Sequence, residues 1–269
     1  MIITDMPSEE YHRYPAIGST TAKLYLKSPQ LFRDAMNGLL PRKDSPSFQI
    51  GRTVHMAVCE PERFATLYVG QGPINPKTGE QYGRGTKAWA EWQAANPDTV
   101  VVDPWVHLAI DRMPESVCDI FTGGIGESSV FVEFGKLAAK CRPDYMAGGI
   151  ITDLKTIDDV DHAERAITQY KYWLSAGWYR AVMRKETGVD SPFRLVFVEK
   201  QPPYRWRIVH LSTDFTRWAD DQADKLIGDL RHAMETGDWT DPAPISVEAP
   251  MPAWLDKSDF TIDDEGISL

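Results

Sequence analysis

The residues best suited to chemistry lie in one stretch, KLAAKCRPDYMAGGIITDLKT, residues 136–156. An apolar run reaches Ala147, turns at Gly148-Gly149 and resumes as Ile150-Ile151-Thr152-Asp153-Leu154-Lys155. Two such runs joined by a short glycine-containing turn predict a β-hairpin. Alternation along its second strand puts Asp153 and Lys155 on one face and Leu154 on the other. Asp144 falls near the end of the first strand, so the antiparallel return brings it toward Asp153. Strands usually avoid Asp, and Asp153 interrupts an otherwise apolar IITDL, so its carboxylate needs a partner. Mg2+ held by one or two carboxylates beside a phosphate is a suitable one. Two acids and a lysine converging there can hold a divalent metal and a water next to a phosphodiester, which is the chemistry of a metal-dependent nuclease. Lys155 in that setting orients the water or steadies the developing negative charge.

Other candidates are weaker taken singly. His55 shares a helix face with Gly51, one turn earlier on a helix expected over about 48–58. Alone it reads as an ordinary helix histidine, and Gly51 as a site of close backbone approach or of tight helix packing. Glu127 opens an alternating strand, ESSVFVEF at 127–134, and on spacing alone is a solvated acid. The Gly- and Pro-rich segment 69–87 reads as a long mobile loop. Its Lys77, Arg84 and Lys87 make it either the lining of a DNA path or a plain insertion. Tyr170, Tyr172, Trp173, Trp178 and Tyr179 fall on a long helix expected over about 159–186. They read first as packing surface, with base stacking as the alternative.

The elements that must position these residues follow from pattern and punctuation. Residues 1–17 read as an irregular arm. Short helices follow at TAKLYLKS, capped by Ser19, and at PQLFRDAMNG after Pro29, then a loop LPRKDSPS. Further helices are expected at about 86–95 and 104–116. Beyond the long helix, FRLVFVEK and YRWRIVHL read as strands separated by QPP, and FTRWADDQADKLIGDLRHAMETG as a closing helix. This order fits a mixed α/β domain with helices packed on a central sheet. The expected organisation is one domain over 1–254 and an acidic tail over 255–269.

Composition bounds the function classes. Of 269 residues, 42% are apolar and 25% charged, an ordinary soluble balance. The net charge of −10 opposes broad phosphate binding, though a basic path can be local. The end, LDKSDFTIDDEGISL, carries five acids and one lysine, so it is a solvated tail or a docking segment. No run reaches membrane-span length and the first residues lack a signal-peptide layout, which predicts a cytoplasmic protein without membrane contact. Cys59, Cys118 and Cys141 are scattered and read as reduced core thiols. Three cysteines cannot supply the four thiolates of an iron–sulfur nuclease.

Taken in order, IGRTVH (50–55), GESSVF (126–131), KCRPDYM (140–146) and IITDLKT (150–156) resemble the PD-(D/E)XK nuclease superfamily. Within it they are similar to the C-terminal nuclease domain of RecE-type exodeoxyribonuclease VIII, from prophage recombination systems. A bare D-x-K is common; the ordered set, with CRPD ahead of DLKT, is specific. The likeness runs from YHRYPAIGSTTAKLYLKSP to PAWLDK. It implies a central mixed β-sheet flanked by α-helices. It implies His55, Asp144 and Asp153 as metal ligands, Lys155 as the catalytic lysine and Glu127 as an acidic residue supporting the site. It further implies Mg2+, with Mn2+ substituting, and 5′→3′ degradation of double-stranded DNA from free ends. The 3′ strand left behind would pass to a RecT-type single-strand annealing protein. A homo-oligomeric ring, tetramer or trimer, with DNA in its channel is also implied, in a bacterial or phage-infected cell. On the helix after the lysine motif such nucleases carry a Gln one turn before a Tyr. Tyr179 matches, but Ser175 stands at the Gln position, where the family meets DNA or orients its site. An endonuclease or single-strand-preferring nuclease on the same fold, and a non-catalytic DNA-binding scaffold, are the alternatives.

Overall fold

The first residues are tied down rather than irregular. In the computed structural model, which describes residues 1–40, 46–69, 72–97, 99–102, 104–241 and 248, Ile2–Ile3 (β1) pairs antiparallel with Val130 and Ser129. Ser8–Arg13 (α1) follows, its Tyr11 packed with Met6 and Phe131 in a small apolar cluster. Ile17 is then stitched to one edge of a later strand at two points: its N–H donates to the Ala138 carbonyl at 2.9 Å and its carbonyl accepts from the Lys140 N–H at 2.8 Å. These partners lie far along the chain, so local periodicity carries no trace of them.

Four helices follow, the first two packed into a different core from the third. They are Ser19–Tyr25 (α2), Pro29–Met36 (α3), Pro46–Cys59 (α4) and Pro61–Leu67 (α5). Ser28 caps α3 by accepting from the Leu31 N–H, with Pro29 at the first helical position where its missing donor does no harm. Tyr68–Val69 (β2) pairs in parallel with Val100–Val101 (β3), on either side of Lys87–Ala95 (α6), which Thr86 caps. The segment expected as a loop carries backbone hydrogen bonds of its own, among them Asn75 N–H to Glu80 and Tyr82 N–H to Pro73. The single helix expected over 104–116 divides into Pro104–Asp111 (α7) and Glu115–Cys118 (α8), because Pro114 cannot continue the first.

The sheet strands are Ile125–Gly126 (β4), Ser129–Phe134 (β5), Leu137–Cys141 (β6), Tyr145–Ala147 (β7) and Ile150–Ile157 (β8). Ala163–Gln169 (α9) and Tyr172–Thr187 (α10) lead to Phe193–Glu199 (β9), Trp206–His210 (β10) and Thr213–Thr236 (α11). The long helix expected over 159–186 is thus two helices, broken where Lys171 takes a φ of +52°. A three-stranded sheet runs β1-β5-β6 and a five-stranded one β10-β9-β8-β7-β4. The larger is mixed: β8 and β9 are parallel, the other neighbours antiparallel. The chain passes from one sheet to the other between Cys141 and Tyr145, so the first strand of the expected hairpin is really two, and Asp144 sits at the crossing.

β9 reads as an unbroken apolar run because both its faces are covered. Leu195 and Phe197 join a core with Leu174 and Trp178 of α10 and Leu226 and Leu230 of α11. Val196 and Val198 join a second with Val54 and Val58 of α4 and Val106 of α7. The architecture is a mixed α/β sheet with helices on both faces, as expected. All these elements belong to one unit, Met1–Trp239; the acidic tail expected from 255 lies outside the described residues. None of the described helices is long and apolar enough to cross a membrane.

Candidate metal centre

Register brings the hairpin acids together. Tyr145 pairs with Thr152, so Asp144, the next residue outward, comes opposite Asp153. Asp144 Oδ2 accepts from the Leu154 N–H at 2.6 Å, which fixes the carboxylate across the ladder. On β8, Leu154 points into the α4 core while Asp153 and Lys155 take the other face, the one toward α10. Lys155 Nζ lies 2.7 Å from Asp153 Oδ2 and 3.7 Å from Asp144 Oδ2. Asp153 Oδ2 is buried, and the Lys155 ammonium is the charge it faces.

Two further elements aim at Asp144. From α4, His55 Nδ1 approaches Asp144 Oδ1 at 3.2 Å. From the turn after β4, Glu127 has a left-handed φ of +51°, rare for a side-chain-bearing residue, while its N–H bonds the Asp144 carbonyl at 3.1 Å. Gly126 makes this turn possible, since a Cβ there would collide with the Cys59 carbonyl at the end of α4. The close backbone approach considered at Gly51 is therefore found here instead; beyond its chain neighbours and its own helix backbone, no described residue lies within 4 Å of a Cβ built on Gly51. Ligand atoms of His55, Glu127 and Asp144 all fall within 4.8 Å of one another.

The electrostatics divide the acids. Burial opposes the Asp144 charge, yet His55, Lys155 and the Leu154 N–H together hold its carboxyl well below the ordinary value. Burial pushes the Asp153 carboxyl up, against the pull of Lys155 and with the help of the Asp144 charge. Glu127 is likewise raised by burial and by Asp144, with Arg142 opposing. Burial disfavours the Lys155 ammonium, but Asp153 and Asp144 outweigh it and hold the proton on. For His55, burial is again outweighed, here by Asp144, so its value is raised. One imidazole nitrogen and two carboxylates converge on one point at the edge of both cores. That donor set suits a divalent cation accepting oxygen and nitrogen ligands, Mg2+ or Mn2+ in type.

The remaining sequence candidates are placed as follows. Ser175 is buried on α10 and its hydroxyl accepts from Lys23 Nζ at 2.8 Å. Tyr179 packs edge-on to Phe193 against the α10 core. Arg84 donates to the Val101 carbonyl at 3.0 Å and lies over the Trp89 ring, and Lys87 faces Glu91 at 3.6 Å, on the α6 side of the molecule. Lys77 uses its backbone N–H on the Asn75 side chain in the segment's turn. Of the cysteines, Cys59 and Cys141 are buried thiols and Cys118 is partly exposed; none is bonded to another.

Sequence reasoning passed over two residues of the cluster. Arg142 Nε donates to Glu127 Oε2 at 2.6 Å, holding that carboxylate, while its buried Nη1 has no partner. It stands beside Pro143-Asp144 in the motif itself, so its place was a readable signal. Lys23 is separated from Ser175 by 152 residues of chain, and no local pattern links them.

Fold and site together define a class: a mixed α/β domain whose central hairpin carries an Asp and, across from it, an Asp-x-Lys. The chain belongs to the family described as PDDEXK-like domain of unknown function (DUF3799), whose model matches residues 18–244. Among solved structures, it resembles a protein of Eubacterium rectale provisionally named an exonuclease. The match covers 92% of this chain and 96% of that one, with a TM-score of 0.62 at 14% identity, a likeness of fold. A second structure, SSO0001, aligns over 78% of this chain and 86% of that one at 14% identity, but with a TM-score of 0.28 it does not bear on the fold. No curated protein matches the chain.

Proposed function

We propose that the chain is a metal-dependent nuclease, and that it degrades linear double-stranded DNA from its ends in the manner of RecE-type exonucleases. The observation that carries this is the convergence of His55, Glu127 and Asp144 beside the Asp153–Lys155 pair. The family's PDDEXK-like description and the name given to the Eubacterium rectale protein support it.

His55, Asp144 and Glu127 would hold the cation, with Asp153 completing the acidic set. Bound there, Mg2+ or Mn2+ supplies Lewis-acid polarisation of the scissile phosphate and lowers the pKa of an attacking water. Asp144 stays ionised through its bonds to Leu154 and His55, so it is ready as a ligand at neutral pH. Arg142 fixes Glu127 in the orientation that faces His55. Lys155 keeps its proton and so acts as a cation, steadying negative charge on the phosphoryl oxygens and orienting water rather than removing its proton. Asp153 holds that ammonium in place.

The finer reading follows the motif set. Digestion proceeds 5′→3′ with Mg2+ and leaves a 3′ strand for an annealing partner of the RecT type, in the cytoplasm. A homo-oligomeric ring keeps the duplex in its channel, with Arg84 and Lys87 as backbone contacts and Ser175 and Tyr179 shaping the α10 side of the site. The test is digestion of a linear duplex labelled separately at each 5′ and 3′ end, with Mg2+ and with EDTA, beside a closed circle. Mg2+-dependent loss from 5′ ends with circles intact is expected. Cut circles would make it an endonuclease, and a folded, metal-loaded protein without turnover would make it a binding scaffold.

A further inference from the structure

Lys23 of α2 reaches the site from the face opposite α4. Its ammonium donates to Ser175 Oγ at 2.8 Å and to the Tyr170 carbonyl at 3.3 Å. Lys23 and Lys155 flank one ring, each Nζ 5.6 Å from the centre of Tyr172. The bland account is that Lys23 caps the last carbonyls of α9, where the chain breaks at Lys171, and braces α2 on α10. That account uses two of the three ammonium protons. It also leaves the charge without a counter-ion: among the described residues no carboxylate lies within ion-pair distance of Lys23, and Asp153, the acid that most favours its charge, is taken by Lys155. Burial accordingly lowers the Lys23 ammonium to about 8, so it remains charged at neutral pH but short of a partner. A second, partly exposed cation beside a lysine already committed to carboxylates is a poor choice for a structural brace alone. It suits an anion that arrives from outside.

We propose that Lys23 binds a backbone phosphate of the nucleic-acid strand held at the carboxylate–lysine cluster, with Ser175 and the Tyr170 carbonyl fixing the direction of its ammonium. The inference rests on the nuclease reading, to which it adds a phosphate subsite on the α2–α10 side. Ser175 thereby takes a role through Lys23 rather than by touching DNA itself.

The experiment measures binding of a labelled linear duplex over a salt series, with Ca2+ in place of Mg2+, and steady-state cleavage with Mg2+. It compares the wild type with Lys23→Met, Lys23→Arg and, as a charge-matched control, Lys225→Met on the exposed face of α11. Lys23→Met keeps the packed stem and removes the charge. It should lower the slope of log affinity against log salt by about 0.9, the share of one phosphate contact, and raise KM more than it lowers kcat. Lys23→Arg should restore most of both, and Lys225→Met should change neither. If Lys23→Met leaves the slope and KM unchanged while wild-type cleavage is intact, Lys23 is only a helix cap, the inference falls and the nuclease reading stands. A folded wild type that neither binds nor cuts DNA would overturn both.

Discussion

In the proposed mechanism the chemistry turns on Asp153 and Lys155, and their pairing makes their loss separable from loss of fold. Each sits at the edge of the core rather than inside it, although Asp153 is only 2% exposed. Removing Asp153 leaves Lys155 with Asp144 as its partner at 3.7 Å, and removing Lys155 leaves an Asp153 carboxyl that burial and Asp144 already push toward the neutral form. Asp153→Ala and Lys155→Ala are each expected to lower Mg2+-dependent cleavage of a linear duplex by about a hundredfold or more, with the circular dichroism spectrum unchanged. Near-normal digestion by either purified variant would sink the assignment. Glu127 tests a different point. Its backbone is held left-handed and its carboxylate is clamped by Arg142, within 4.8 Å of the ligand atoms of His55 and Asp144. Glu127→Gln should weaken Mn2+ binding, read by calorimetry without DNA, by roughly 10- to 100-fold. Unchanged affinity would reduce Glu127 to a partner of Arg142. The Asp-x-Lys alternation made Asp153 and Lys155 legible from sequence. The aim of Glu127 was not, because it depends on a turn conformation that only the packing of Gly126 against α4 enforces.

Among the elements, the second strand of the hairpin and the closing helix follow their periodicity, and the departures occur where tertiary contacts overrule it. The stretch 159–186 has helical pattern throughout, yet it breaks at Lys171, and the carbonyl at that break is held by Lys23 from another element. The N-terminal arm becomes β1 and α1 because a strand of two residues needs only a partner edge, which β5 provides. One glycine shows the same point inside a helix: Gly177 of α10 lies against the Ala219 carbonyl of α11, where a Cβ would collide with it. Gly177→Ala should therefore destabilise the fold by about 1–3 kcal/mol in urea titration, whereas its helix propensity alone would argue for a gain. A neutral or stabilising result would mean that α10 and α11 are free to separate. Glu199, at the end of β9, fastens three segments: it accepts from the Val160 and Arg205 N–H groups and from the Arg205 side chain. Burial opposes its charge, but these donors prevail and hold the carboxyl below its ordinary value. Such a group stabilises the fold above the unfolded value, about 4.3, and the contribution is lost as pH falls through the folded one. Glu199→Gln should melt below the wild type at pH 7, and the gap should close as pH drops under about 4.3. A gap independent of pH would show that the Glu199 charge is not what binds these segments.

At the scale of the molecule, the difficulty is how a chain of net charge −10 retains a polyanion. Much of its positive charge is spoken for internally. Arg180 is bidentate on Asp220, Arg184 faces Asp190 and Asp224, and Arg205 and Arg207 face Asp159, Asp161 and Glu199. On the proposed reading, the site would offer DNA a bound cation, Lys155 and the Lys23 ammonium, too few for a subunit to track a duplex through many steps at physiological salt. Several copies around one duplex multiply those phosphate grips while each copy stays acidic outside, and when one subunit lets go of the strand the next still holds it. If digestion is processive, the proposed ring is one arrangement that supplies the missing charge. The expected result is that enzyme preloaded on a labelled duplex, released with Mg2+ and flooded with unlabelled DNA, goes on degrading the first molecule. Sedimentation of the loaded complex should give a protein mass that is a multiple of 30.4 kDa. A single 30.4 kDa subunit that resists the challenge would remove the ring. It would also mean that the basic groups of the α6 side, Arg84 and Lys87 among them, hold the duplex without help from another copy. Digestion that stops at once on challenge, by a single subunit, would instead make the enzyme distributive, with no need for a channel.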